Sequence, residues 1–237
     1  MSLTAYRLNE IQCLQRIQRG TGAEEQMREK IIFTEEDRIA IVAPHPDDEC
    51  IFAAGALLFA SDRTDIFVLT DGSHGNKERS VQEEAVVRKK QFDAEMEYVK
   101  PHAVYWFGVE DSKLSENPGI VSKIDFTPYT RIFLPWIESL HPDHRAAAEM
   151  CINEIRKQGC HAECYSGEVY KPFPSPSHYI DITSVVEEKR RLIRFHEDQT
   201  ALEDVVISLN AFRAAQLIYT PECRFAECFD MITVQRP

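Results

Sequence analysis

The sequence predicts an α/β domain built on a mostly parallel sheet, and three observations lead to it. Short β-rich runs recur at 38–43, 64–70, 102–107 and 131–134. Helical patterns or polar loops follow them, the alternation expected of βαβ units. Clusters of His and Asp stand directly after two of these strands, and open parallel sheets gather ligands at the carboxyl ends of their strands.

Each element has its own signal. Residues 4–19 place Leu8, Ile11, Leu14 and Ile17 at helical spacing, and the polar stretch 18–30 reads as helix or loop. Arg38-Ile39-Ala40-Ile41-Val42-Ala43 reads as a buried strand stopped by Pro44. A small-residue apolar helix is expected over 49–61, a strand over Thr64–Thr70 and a charged helix over 80–98. Strands follow at His102–Phe107 and Arg131–Leu134, then a helix from Arg145 to Gln158 with Gly159 at its end. Residues 162–170 read as a strand. The proline-rich run 171–177 is unsuited to helix or central strand. Residues 184–219 read as helical with a break near 196–200, and 226–234 as an edge strand. The division expected is a helical extension, 1–37, and a single domain, 38–237, with the extension available for packing or a homo-oligomer contact.

A chain of 237 residues suits one domain with a full core. Its 27 Lys and Arg against 39 Asp and Glu give a net charge of −12, which repels a polyphosphate backbone. Nucleic acid is therefore not an expected partner, whereas a small molecule is. No apolar run reaches the length of a membrane span, and no basic-then-apolar leader is visible, so cytoplasm is the expected location. The seven cysteines include no CxxC pair and read as reduced, packed thiols. Cys160-His161-x-x-Cys164 lacks a second pair of ligands, so a metal there is not expected.

The chemistry is concentrated in two motifs. Pro44-His45-Pro46-Asp47-Asp48-Glu49 packs one imidazole and three carboxylates into a turn stiffened by two prolines. Helix capping explains one or two of the acids, but crowding three beside a histidine costs energy unless a cation compensates. His141-Pro142-Asp143-His144-Arg145 repeats the arrangement after a later strand, and parallel strands bring both turns to one sheet edge. A catalytic zinc commonly takes two His and one carboxylate and keeps one position open for water, whose pKa falls toward about 7. His45, Asp48 and His144 supply that set, and the same ligands suit Fe(II) as an alternative metal. Asp47 is then free as general base. His141 is free to stabilise an oxyanion or to protonate a leaving amine. Ser73-His74 suggests no nucleophile–base pair, because adjacent side chains rarely face each other and no GxSxG elbow is present.

PHPDDE after the first strand and HPDHR after a later one resemble the PIG-L/LmbE family of zinc-dependent N-acetylglucosaminyl deacetylases. Leu69-Thr70-Asp71-Gly72-Ser73-His74-Gly75 is similar to the family's loop after the second strand, and Leu134-Pro135 to its approach to the second motif. The resemblance implies a Rossmann-like three-layer sandwich, zinc on His45, Asp48 and His144, Asp47 as base and His141 as polarising or acid group. It also implies that Arg88, in the helix after the second strand, binds the sugar. Helix charge patterning alone places Arg88 equally well on a solvated face. The Asp71–Gly72 turn and Ser73 are expected to line the substrate pocket, with Asp71 accepting hydroxyl hydrogen bonds. The chain departs from the family at Lys90-Gln91, where a glutamate is common, and at Glu138-Ser139-Leu140, where some members carry a tyrosine.

The expected activity is removal of an acetyl group from the nitrogen of an amino sugar or sugar conjugate. A metallo-amidohydrolase acting on another N-acyl compound is an alternative, as is a non-catalytic sugar-binding protein of the same fold. Loss of Asp47 or of a ligand would favour the last, and all are intact.

Overall fold

The computed structural model describes residues 28–199 and 201–234. The strands are β1 (Glu29–Lys30), β2 (Ile39–Ala43), β3 (Thr64–Thr70), β4 (Ala103–Val109), β5 (Arg131–Pro135), β6 (Glu163–Gly167), β7 (His178–Asp181) and β8 (Ala226–Ile232). They form one sheet in the order β1-β7-β8-β6-β5-β2-β3-β4. All pairings are parallel except those of β8 with β6 and β7. The helices are α1 (Asp48–Phe52), α2 (Ala54–Phe59), α3 (Val81–Val99), α4 (Pro142–Gln158), α5 (Val186–Phe195) and α6 (Ala201–Ala215).

Alternation along the strands divides the core into two layers. Ile39, Ile41 and Ala43 of β2 pack in one cluster with Cys50, Leu57, Phe92, Leu192 and Val206, from α1, α2, α3, α5 and α6. Ala40 and Val42 point to the opposite face and pack with Ala147, Cys151 and Ile155 of α4. With the sheet between them, the layers form the expected three-layer α/β sandwich. Helix ends follow capping chemistry. Ser80 and Glu83 form a capping box on α3, and Gly159 ends α4 at φ 63°.

Several expectations are revised. Residues 29–33, assigned to the extension, belong to the sheet domain: β1 pairs with β7, and Arg131 donates to the Ile32 carbonyl at 2.8 Å. The expected helix over 4–19 lies outside the described residues. β8 is an interior antiparallel strand rather than an edge, because the four-residue strand β7 and then β1 extend the sheet beyond it. The apolar helix over 49–61 is two short helices broken at Ala53. The break has a visible cause. Lys189 Nζ takes the Ile51 carbonyl at 2.7 Å and Glu227 Oε2 takes the Gly55 N–H at 2.9 Å, the two groups that an unbroken helix would pair. Lys189 and Glu227 also bond each other at 2.6 Å, both almost fully buried. Lys189→Met therefore leaves an unpaired buried carboxylate and is expected to destabilise the fold by about 3–5 kcal/mol, read by urea unfolding. A loss under about 1 kcal/mol, the range of a surface pair, would contradict this reading.

Among the described residues no helix is long and apolar enough to cross a membrane.

Candidate active site

The chain runs outward from β2 through β3 to β4, then returns to the other side of β2 as β5. This reversal leaves a crevice at the carboxyl ends of β2 and β5, the usual ligand position in a doubly wound sheet. The first motif leaves β2 and the second leaves β5, so both face this crevice. Thr70, at the end of β3, donates from its backbone N and its Oγ1 to the Pro44 carbonyl at 2.9 and 2.8 Å, tying the first motif to the neighbouring strand. Pro142 opens α4, and His141 caps it by accepting the Asp143 N–H at Nδ1, 3.2 Å.

Three atoms converge in the crevice. His45 Nδ1 lies 3.2 Å from Asp48 Oδ2 and 3.2 Å from His144 Nε2, and His144 Nε2 lies 3.1 Å from Asp48 Oδ2. His144 is fully buried and Asp48 nearly so. On its other side His45 Nε2 faces Asp111 Oδ1 at 3.3 Å and Asp143 Oδ2 at 3.4 Å. Those carboxylates place the ring proton on Nε2, so Nδ1 presents a lone pair to the triangle. Two imidazole nitrogens at 3.2 Å cannot both present lone pairs unless a proton or a cation lies between them. Tetrahedral ligand atoms bonded at about 2.0–2.1 Å stand roughly 3.3 Å apart, close to what is seen here. The three residues thus fit a small divalent ion. Without one, the cost of burying His45 as a cation is outweighed by the Asp111, Asp143 and Asp48 carboxylates around it, and its pKa is raised well above the usual value. His141 also brings a ring nitrogen within 4.8 Å of those of His45 and His144. Burial, and after it the neighbouring His45 and His144, lower its pKa and favour the neutral ring. Since Nδ1 accepts from the backbone, that neutral ring carries its proton on Nε2.

Asp47 is outside the triangle and buried, with φ 126°, a conformation costly for any residue but glycine. Arg88 of α3 holds it: Nη2 donates to Asp47 Oδ2 at 2.8 Å and also to the Pro46 carbonyl. Burial pushes the Asp47 pKa up and the Arg88 charge opposes the rise. Arg88 is only 2% exposed, which removes the solvated-face reading. Its Nε and Nη1 are buried without a hydrogen-bond partner.

The loop after β3 packs beside this pair. Asp71 Oδ1 accepts the Ser73 and Asp111 N–H groups, each at 3.0 Å, so this oxygen braces two loops. Gly72 has φ 63°, and a Cβ there would stand 3.0 Å from both Pro46 Cδ and Arg88 Nε, so any larger residue is strained and crowded against this pair. The buried Ser73 hydroxyl has no partner.

The structure adds residues that sequence reasoning missed. Asp111 follows β4 and, besides facing His45, accepts the His74 N–H at 3.1 Å. Asp143, the acid of the second motif, accepts the Ser112 and Leu114 N–H groups at 2.7 and 3.2 Å. The Glu110-Asp111 pair at a strand's carboxyl end was the available signal. Behind Asp47 lies a fully buried group of Glu49, Glu95 and His196. His196 Nε2 is 2.7 Å from Glu95 Oε2, and Glu49 Oε2 accepts the Asp47 N–H at 3.3 Å. Burial raises the Glu49 pKa to about 7 and lowers that of His196 to about 3. Finally Tyr170, after β6, sets its ring 5.3 Å from that of His144 and 6.2 Å from that of His141.

Residues 40–155 match the PIG-L family, described as GlcNAc-PI de-N-acetylase. A diacetylchitobiose deacetylase of Thermococcus kodakarensis is 26% identical over 202 residues, 70% of this chain and 72% of the relative. Among solved structures, the N,N'-diacetylchitobiose deacetylase of Pyrococcus horikoshii superposes with a TM-score of 0.66 at 19% identity, covering 99% of this chain and 94% of that one. The 4-carboxy-2-hydroxymuconate hydratase GalB of Pseudomonas putida KT2440 superposes at 0.65 and 16% identity, covering 84% and 97%. At such identities the superpositions speak for the fold alone. Both motifs lie inside the matched span.

Proposed function

We propose that the protein is a metal-dependent hydrolase that removes the acetyl group from the nitrogen of an N-acetylated amino sugar or sugar conjugate, with zinc as its metal and iron(II) as the alternative. The observation that carries this reading is the triangle of His45, Asp48 and His144 with an uncommitted carboxylate, Asp47, held beside it. His45, Asp48 and His144 would hold the ion, which when bound supplies Lewis acidity to a carbonyl oxygen and to water.

The remaining roles fall to the chain's own groups. Asp47 takes a proton from the attacking water, and Arg88 keeps that carboxylate ionised and aimed. His141, neutral and protonated at Nε2, donates to the oxygen that gains charge as water adds to the amide carbonyl. The amide nitrogen then needs a proton to leave as an amine, and Asp47, having just gained one, can return it. The free edge of Arg88, the open Ser73 hydroxyl and the Asp71–Gly72 turn form the substrate side of the pocket.

Arg88→Ala tests two of these assignments together. Loss of a charge-assisted bond to substrate is expected to lower kcat/KM about 10-fold or more. Removing the cation also raises the Asp47 pKa, so less of the base is ionised at a given pH and the acidic limb of the kcat/KM profile moves to higher pH. Unchanged kinetics on a true substrate would contradict both.

The reading itself is tested by acetate release from a panel of N-acetylated sugars, free, nucleotide-linked, lipid-linked and conjugated, with zinc added. Release from at least one, at rates above those of metal-stripped protein, is the expected outcome. Release from none would contradict it.

A further inference from the structure

Resting on the hydrolase reading above, we propose that Tyr170 is a catalytic residue whose phenol donates a hydrogen bond to the oxygen of the scissile carbonyl.

The placement of Tyr170 comes from a built loop. β6 lies next to β5 in the sheet, with Gly167 opposite Pro135, so the chain leaving β6 runs beside the chain leading into His141. Glu168, the first residue after β6, is buried and ion-paired with Arg213 of α6, Arg213 Nε to Glu168 Oε2 at 3.0 Å. The two close the loop on itself: Glu168 accepts the Phe173 N–H, and Arg213 Nη2 donates to the Phe173 carbonyl at 2.7 Å. The far side is tied to the second motif's approach. Lys171 Nζ bonds Glu138 at 3.0 Å and sits 4.5 Å from the Trp136 ring, which packs on Phe173 at 4.6 Å. Tyr170 therefore stands at the apex of a segment clamped on both flanks. Burying an ion pair to shape a surface loop costs desolvation energy, which suggests that the apex has a task.

That task follows from the surrounding charge. The site gathers four nearly buried carboxylates, Asp48 within the triangle and Asp47, Asp111 and Asp143 around it. An oxygen that becomes negative among four carboxylates needs donors fixed in advance. His141 is one, and the ring of Tyr170 lies against both His141 and His144. A phenol keeps its proton at neutral pH and can donate without being consumed. Tyr170 is 44% exposed, so a substrate arriving from solvent can reach it.

The test is Tyr170→Phe, which removes the hydroxyl and leaves the ring packing. An oxyanion donor acts in the transition state more than in the ground state. A single donor is worth about 10²–10³-fold in kcat, and with His141 sharing the load a fall of about 10- to 100-fold is expected, with KM within about threefold. A second readout needs no turnover: acetate titrated calorimetrically into the zinc-loaded protein should bind several-fold more weakly to Tyr170→Phe than to wild type. If wild type releases acetate and Tyr170→Phe matches it in kcat, the Tyr170 role is overturned while the hydrolase reading stands. If wild type turns over no N-acetylated sugar, the hydrolase reading fails. The acetate titration then decides whether Tyr170 donates into the site, and equal affinities overturn that too. A rise in KM alone would make Tyr170 a wall of the pocket and overturn the assignment.

Discussion

Asp47→Asn is expected to lower kcat by about 10²–10⁴-fold, the range for loss of a general base, while leaving metal content and substrate affinity near those of wild type. The substitution is nearly isosteric. The introduced amide can still accept the Arg88 Nη2 bond through its oxygen, and asparagine meets the same backbone cost at φ 126° as the aspartate it replaces. It cannot take a proton from water. Because Asp47 is outside the triangle, the three ligand atoms are untouched. The wild type should lose activity as pH falls through the Asp47 pKa, which burial sets above the ordinary carboxylate value. The variant's residual activity should lack that acidic limb. Turnover within about threefold of wild type at matched metal occupancy, far below the general-base range, would mean that another group is the base.

His144→Ala is expected to strip most of the metal from a protein that otherwise holds about one divalent ion per chain, because two remaining ligands chelate poorly. His144 Nε2 closes two edges of the triangle, 3.2 Å to His45 and 3.1 Å to Asp48. Its removal leaves a buried void beside the Asp48 carboxylate, with His45 Nδ1 as that oxygen's remaining ring-nitrogen partner. Elemental analysis of the purified variant gives the answer. Full occupancy would show that the ion is held elsewhere, and the assignment would be wrong.

The sheet was legible because its central strands are continuous apolar runs ended by Pro44, Thr70-Asp71 and Pro135, and the two motifs stand where those runs stop. What could not be read was what depends on distant partners. The helix break at Ala53 arises from Lys189 and Glu227, more than 130 residues away, and nothing between Glu49 and Ser61 announces it. β7 is a four-residue strand after a proline-rich run, too short for a period-2 pattern, so from sequence β8 looks like an edge. The convergence of His45, Asp48 and His144 was legible as residue types at strand ends. The orientation of His45 by Asp111 and Asp143 was not, because both act on it across the crevice from other loops. Arg88 shows the same limit. Helix charge patterning could not separate a solvated face from a buried one, and the answer depended on Asp47 and Pro46, about 40 residues back in the chain. Tyr170 had no sequence signal, since its proximity to His144 follows from β6 lying beside β5.

The most direct test of the central claim counts both products of one reaction. The zinc-loaded protein is incubated with an N-acetylated amino sugar that it turns over, and acetate and free primary amine are quantified together against protein reconstituted with His144→Ala. Amide hydrolysis at this site predicts acetate and amine in equal amounts, rising together with metal content and absent from the variant. Amine without acetate, unequal amounts, or the same yield from His144→Ala would contradict it.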